Sequence, residues 1–515
     1  MGKPVRSDPS RLKSGGMKRS FSCYAILIGL LTAVWLLMGC RPTTATVLPT
    51  AAATAVAQIA TPTAPTNQQP NTLPPTNTAQ PTNQPNQPTQ PTTTLPPTFT
   101  PEPTATLAPT IRPYATMQAT PPTAVPSPMP PFPKSDAITN IVLVGNDVAD
   151  PQGGRTDSII LVSINRETKT ATMLSLPRDL YVVIPGWQMT KINLALPHGH
   201  GVDYPGAGGG LLKDTIEYNL GIPVDYYARI GFDGFKSVVD AVGGVEVVVT
   251  CALHDWRLKS PELDQTIEEN WEQFTLEPGV YEMDGDLALW YARSRRTTND
   301  FERGRRQQQV LRAIFDRGLD QNIIADIPDL WRVYRDSVET DLTLPVVLEL
   351  AALAPAVREN GVQHLAIAGD AVRSWQEPGT GWSTQLLRPE TAVPILRRVM
   401  QPPALNRANR PPIIVEIVTD NEDLYRQMAE NLSWYGFVPR FAPASDPPPA
   451  HTRIDYFGPN FKGSYSDLLS WLFKQTATAV NLTPDAASSA NYRVTLGYDA
   501  DPCLPSFVAP VGENP

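Results

Sequence analysis

A 94-residue tract, 41–134, most constrains what this chain can fold into: it holds 24 Pro and 24 Thr, and its only charges are Arg41, Glu102, Arg112 and Lys134. Such a segment has too little apolar surface to offset the entropy of ordering its backbone. It is expected to remain a disordered tether, reaching at most about 290 Å at ~3.1 Å per residue in the polyproline II form. Its threonines are candidates for O-glycosylation as in mucin-like stalks, although a plain length-tolerant spacer explains the tract more simply. Foldable sequence therefore begins near Ser135, and about 380 residues remain for a large core and a smaller second one.

Charge divides just as unevenly. Residues 1–20 carry +5 and the tract +2, so the chain's net −9 leaves −16 on residues 135–515. That balance argues against a nucleic-acid partner, which calls for a basic footprint. Four cysteines, Cys23, Cys40, Cys251 and Cys503, are too few and too scattered for a disulfide framework, and none has metal-ligand spacing. A Cys251–Cys503 bond would have to tie two domains together and is not expected.

The N-terminus sets the compartment. Phe21–Cys40 carries no charge, its apolar heart is Tyr24–Met38, and Lys18-Arg19 precede it, which favours a cytoplasmic N-terminus with everything from residue 41 outside. Two readings stay open: an uncleaved signal anchor, or a cleaved signal whose Leu37-Met38-Gly39-Cys40 end resembles the bacterial lipobox, with Cys40 lipidated. Either holds the protein at the outer face of a membrane.

Beyond the tether, Ile138–Val144, Ser158–Asn165 and Thr170–Leu176 read as strands, Leu211–Leu220 and Gly234–Val242 as helices stopped by glycine, and Val245–Thr250 as a further strand. After an irregular acidic insert at about 255–275, Asp284-Gly285 opens a short helix, and Asn299 or Asp300 caps a longer one over Phe301–Leu319. This alternation indicates a layered α/β domain, α-β-α with a mixed central sheet, over 135–400. Pro402–Pro412 reads as a hinge, and 411–503 as a small β-α-β-α-β unit.

The candidate chemistry is concentrated in arginines. Arg293, Arg295, Arg296, Arg303, Arg305 and Arg306 fall within fourteen residues of an otherwise acidic domain. Such crowding is unfavourable without anions. The buried stripe Val310, Leu311, Ile314 and Phe315, continued backwards by helical spacing, turns Arg303, Arg306 and Gln307 inward. A helix N-terminus adds its own preference for anions. Arg293 and Arg295, two apart on an extended segment, point the same way. A solvated basic helix end is the competing reading. Asp147, Arg155 and Asp157 look like turn residues taken singly, but strand-end loops on one sheet edge would bring Asp147, Asp157 and Pro177-Arg178-Asp179 together. Two carboxylates with arginines suit Mg²⁺ on a pyrophosphate. His198-Gly199-His200 has no third ligand and reads as a glycine-rich surface loop rather than a metal site.

Read in order, VGND, GRTDSIILVSIN, SLPRDLYVVIPG, KIN, LGIPVDYYARIGFDGFKSVVDAVGGVEV, LEPGVYEMDGDLALWYARSR and DFERGRRQQQVL resemble the catalytic domain of the LytR-CpsA-Psr family over about 138–320. Residues 411–503 resemble the LytR C-terminal domain, a more generic signal. The resemblance implies a membrane-anchored extracytoplasmic phosphotransferase. Its expected reaction moves a glycopolymer such as teichoic acid from a polyprenyl-pyrophosphate carrier onto peptidoglycan, with Mg²⁺ or Mn²⁺. It further implies a metal site at Asp147 and Asp157. Pyrophosphate contacts would come from Arg155, Arg178, Arg293, Arg295, Asp300, Arg303 and Gln307, with Lys191 and Asn193 in a matching motif. Apolar runs Val142–Val144, Ile159–Val162 and Val245–Val249 are candidate walls for the isoprenoid tail. The rival readings are a hydrolase releasing polyprenyl phosphate to water and a non-catalytic module binding anionic polymer.

Overall fold

The computed structural model describes residues 126–146, 154–323, 327–328, 331, 338–378, 380–402, 411–476, 479–504 and 506–508. The N-terminal segment with Cys40, most of the tether, and Asp147 lie outside them.

The first large element is a six-stranded mixed sheet. Its centre is an antiparallel meander of β1 (Ile138–Asn146), β2 (Thr156–Asn165) and β3 (Thr170–Ser175). Strand Tyr226–Gly231 runs parallel to β1 and Val362–Ala366 parallel to β3, with Glu339–Thr340 closing the far edge. The strand alternation sends two sets of side chains to opposite faces. Val142, Val144, Ile159, Leu161 and Leu174 pack with Leu211, Leu212 and Ile216 of helix Ala207–Leu220 and with Leu396 of helix Pro389–Val399. Ile141, Ile164 and Ala171 pack on the other side with Val238 of helix Phe232–Ala241, Ala288 of helix Gly285–Arg293, and Val310 and Ile314 of helix Asp300–Asp320. The result is the α-β-α layering expected. Each fully buried Leu, Ile or Val here contributes roughly 1.5–3 kcal/mol, so the faces of β1 and β2 are not interchangeable.

The acidic insert is not irregular. Leu253–Leu258 and Trp271–Leu276 pair antiparallel as a two-stranded ribbon. The run LHDWRL supplies His254, Trp256 and Leu258 on a two-residue period, but twelve mostly polar residues separate it from its partner and hid the pairing.

Residues 414–495 form a second, five-stranded sheet in the order Val438–Pro443, Ile414–Thr419, Tyr492–Thr495, Arg453–Tyr456, Val480–Leu482, with helices Glu422–Trp434 and Ser466–Leu472. The two strands absent from the sequence reading are the two edges. One carries Pro439 and Pro443, tolerated only at an edge, and the other is three residues long.

Helix Asp300–Asp320 lies between the two sheets' cores. Glu430 on helix Glu422–Trp434 accepts from Gln309 at 2.9 Å and pairs with Arg312, while Asn431 accepts from Arg305 at 2.7 Å. Trp434 stacks on His364 with ring centroids 4.3 Å apart. Contrary to expectation, Cys251 and Cys503 are disulfide-bonded across 252 residues of sequence. Spacing could not reveal this, because only the docking of the second sheet brings their Cα atoms within 4.6 Å.

Candidate headgroup site

One edge of the first sheet gathers the end of β1, the start of β2, the loop after β3, the end of helix Gly285–Arg293 and the start of helix Asp300–Asp320. Both helices begin as their sequences dictate. Asp284 accepts from the Leu287 N–H at 2.8 Å, and Asn299, not Asp300, caps the long helix by accepting from the Phe301 and Glu302 N–H groups at 2.9 Å. Asp300 is thereby released to face the arginines.

Arg178 is held between carboxylates. Its Nη1 donates to Asp157 Oδ1 at 2.5 Å, and its Nε donates to Asp300 Oδ2 at 3.3 Å and stands 3.6 Å from Asp179. The other Asp300 oxygen lies 3.5 Å from Arg303 and 3.8 Å from Arg295. Burial works against the Arg178 charge, but the hydrogen bond to Asp157 and the fields of Asp300, Asp157 and Asp179 outweigh it, and its pKa is raised. Arg303 goes the other way. Burial lowers its pKa, Arg178 and Arg295 add to the effect, and Asp300 and Asp157 only partly compensate. A further anion at this spot would relieve that cationic crowding.

Behind the arginines opens a cavity of about 220 Å³. Asp157, Arg178, Arg293, Arg295, Arg303 and Gln307 line it on the polar side, and Leu143, Ile160, Phe232, Leu289, Leu311 and Val338 on the apolar side. A second, almost wholly apolar cavity of about 100 Å³ adjoins it, sharing Leu143 and Leu311 and continuing along Val162, Ile164 and Met173. The pair forms a slot between sheet and helix: charged at the mouth, hydrocarbon within. Of the apolar runs expected as walls, alternate residues qualify. Leu143, Ile160 and Val162 line the slot, whereas Val142, Val144, Ile159 and Leu161 pack into the opposite core. Val245, Val247 and Val249 are core residues away from it.

The remaining candidates sort by contact. Gln307 accepts from Ser158 Oγ at 2.8 Å and donates to the Ala292 carbonyl at 3.2 Å, which fixes its amide across the cavity wall. The Arg293 guanidinium lies 4.0 Å from the Phe232 ring centroid. Arg155 and Lys191 are not brought into the cavity. They meet at exposed Trp382, 6.0 and 5.6 Å from its ring centroid, and Lys191 pairs with Asp179 at 2.7 Å. Asn193 is buried, and its main chain links the Arg178 carbonyl to the Thr156 hydroxyl. It acts as a support of the Arg178 loop. Arg306 is inward-facing as expected, but it donates to the Tyr291 and Ser294 carbonyls at the end of the short helix and is structural. His198 stacks on Trp187 and His200 pairs with Glu339, both within a short helix rather than a loop. Ser158, Phe232 and Trp382 escaped the sequence reading, since a lone serine or aromatic on a strand or turn carries no signal until its neighbours are known.

Among the described residues no group of three or more His, Cys, Asp or Glu side chains stands together as a metal cage. The donors at the mouth are instead Asp157 and Asp300, hard carboxylates beside a space that cations enclose. Both are engaged by arginines, Asp157 by Arg178 and Asp300 by Arg178, Arg303 and Arg295.

Residues 114–388 match the model of the LytR_cpsA_psr family. The chain is 31% identical over 237 residues to the polyisoprenyl-teichoic acid–peptidoglycan teichoic acid transferase TagU of Bacillus licheniformis, covering 45% of this chain and 69% of that one. It is 35% identical over 236 residues to TagT of Bacillus subtilis, a protein of the same description, covering 45% and 67%. The crystal structure of B. subtilis TagV is similar at 28% identity with a TM-score of 0.41, covering 52% of this chain and 97% of that one.

Proposed function

The chain belongs to the LytR_cpsA_psr family, and from that premise we propose that it transfers a glycopolymer from a polyprenyl-pyrophosphate carrier onto peptidoglycan outside the cell. The observation that carries this reading is the two-part slot: an arginine-rimmed mouth opening onto a hydrocarbon-lined interior. A pyrophosphate with an isoprenoid tail has the same division of polarity. Arg178, Arg295 and Arg303 bind and neutralise the pyrophosphate, Asp300 keeps the three guanidiniums converged, and Arg293 on Phe232 closes the rim. A peptidoglycan hydroxyl bonds to the glycan-bearing phosphorus as the bond to the bridging oxygen breaks, and its proton passes to water. Polyprenyl phosphate departs with the electron pair. The transition state is loose, so positioning and charge neutralisation account for most of the catalysis.

Mg²⁺ or Mn²⁺, held through Asp157 with Asp147 as the second carboxylate of the proposal, would polarise the pyrophosphate oxygens. By the same reading the chain is anchored at the outer membrane face through residues 1–40, with 41–134 as tether and 411–503 as a LytR C-terminal-like domain. Among the described residues no helix is long and apolar enough to cross a membrane. The test supplies labelled lipid-linked glycan with and without peptidoglycan oligomers. Label transferred to the oligomers supports the transferase. Label released to water in both cases identifies the hydrolase, and donor bound but unchanged identifies a binding module.

A further inference from the structure

The 253–276 ribbon is fastened onto the arginine segment. Asp255 Oδ2 accepts from the main-chain N–H groups of Arg295 at 2.9 Å and Arg296 at 3.2 Å, and Trp290 Nε1 donates to the Trp256 carbonyl at 2.9 Å. Phe274 packs edge-on against Trp290 with centroids 5.0 Å apart. Over this joint runs an open groove of about 980 Å³ that shares Phe232, Leu289, Arg293 and Arg295 with the headgroup cavity. One surface thus continues from the reacting centre onto the ribbon.

The groove's chemistry is specific. Trp256, Trp271 and Trp290 line it, and Trp256 is 42% exposed, although burying its ring would be worth far more than leaving it in water. Arg257 and Arg296 lie over aromatic rings, at 4.7 Å from Phe274 and 5.7 Å from Trp256, and among the described residues neither has a carboxylate partner. Of the acids that line the groove, Asp233 and Asp286 pair with Lys236, Glu339 with Arg229, and Asp255 accepts from main-chain N–H groups, while Glu272 stands across the ribbon from Arg257. Exposed aromatic faces beside uncompensated guanidiniums favour a ligand that offers flat, weakly polar ring faces together with anions.

We propose that this groove is the acceptor subsite, binding a peptidoglycan glycan strand by stacking pyranose rings on Trp256 and pairing the strand's carboxylates with Arg257 and Arg296. A poly(polyol phosphate) donor chain has the anions but no ring face to stack, so it matches only half of the groove. The proposal rests on the transferase reading and supplies the acceptor's place in it. The groove's continuity with Arg293 and Arg295 puts a bound strand beside the phosphorus that its hydroxyl attacks.

The experiment measures direct binding of soluble peptidoglycan oligosaccharides to the full-length protein by calorimetry, without lipid donor, and so does not depend on turnover. Trp256→Ala and Arg257→Ala should each weaken binding about tenfold, as truncation of anchoring Trp and Arg side chains at interfaces does. Trp256→Phe should recover part of the loss. Both are surface side chains, and unchanged circular dichroism confirms the fold. Unaltered affinity in folded Trp256→Ala and Arg257→Ala proteins overturns the subsite. So does a loss confined to poly(ribitol phosphate), offered as a separate probe, which would make the groove a donor-polymer channel. Oligosaccharide binding that is lost as expected, beside a wild-type protein that transfers nothing, keeps the groove and refutes the transferase reading instead.

Discussion

Asp300 is the anion on which three guanidiniums converge, and Asp300→Asn removes its charge at nearly constant size. At contact distance and an effective dielectric of about 20 a single pair is worth ~4 kcal/mol before desolvation and screening. The carboxylate here is 29% exposed and Arg295 54%, with separations of 3.3, 3.5 and 3.8 Å. Exposed pairs retain only about 0.2–1 kcal/mol, so the three together should contribute roughly 1.5 kcal/mol. Position in the first helical turn adds about 0.5 kcal/mol through the helix dipole. The expected loss is about 2 kcal/mol in guanidine-free urea denaturation at low salt, shrinking towards half in 1 M NaCl as screening takes over. Inorganic pyrophosphate should stabilise the variant more than the wild type, because it restores the missing anion. A loss under about 0.5 kcal/mol, or pyrophosphate stabilising both proteins equally, would refute the reasoning that Asp300 holds the cationic mouth together.

Leu311 borders both cavities. Leu311→Trp should fill the junction at a stability cost below about 1.5 kcal/mol, since the added volume enters open space, and should cut turnover of long-chain polyprenyl donors far more than of short-chain ones; equal effects on both would remove the slot as the tail site. Asp157→Asn should abolish metal-dependent activity, and full activity in excess chelator would end the metal role. Replacing Cys251 or Cys503 by Ser frees a 252-residue loop, with an expected stability loss of up to about 5 kcal/mol from chain entropy; an unchanged denaturation midpoint would show that docking alone holds the second sheet. Intact mass of membrane-extracted protein should begin at a lipidated Cys40 if the lipobox reading is right, and retention of residues 1–39 would mean an uncleaved anchor.

Much of this site was legible in the sequence because its residues sit where local rules apply. The strand ends next to Asp157 and Arg178 follow from β-rich runs, and Asn299 declares the helix start that sets Asp300, Arg303 and Gln307 on one side. What escaped depends on contacts between distant segments. Helical spacing from Val310 and Ile314 turns Arg303, Arg306 and Gln307 inward together, but this helix buries more than one face. Arg306 is consumed by main-chain carbonyls of the preceding helix, and Arg305 by Asn431 and Trp434 across the second sheet's docking surface. Arg155 and Lys191 stand outside the cavity lining, over Trp382, a residue 227 and 191 positions further along the chain that local sequence could not pair with them. The Cys251–Cys503 bond belongs to the same class.

The long site helix has a consequence for how this sequence can change over time. From Phe301 to Leu319 no position is fully exposed, and the first residue to reach open solvent is Asp320. Ordinary surface helices keep a broad variable face on which neutral substitutions accumulate; this one keeps only a narrow, half-buried one around Asp316, whose side chain is 38% exposed. Its inner turn faces the headgroup mouth through Arg303 and Gln307, while Arg305, Gln309 and Arg312 on other faces are matched to Asn431 and Glu430. A saturation scan should therefore find tolerance confined to that narrow face, with intolerance over the rest of the helix. Substitutions that do survive there should come in pairs, one on the helix and one on Glu422–Trp434, so that the two segments drift as a single inherited block.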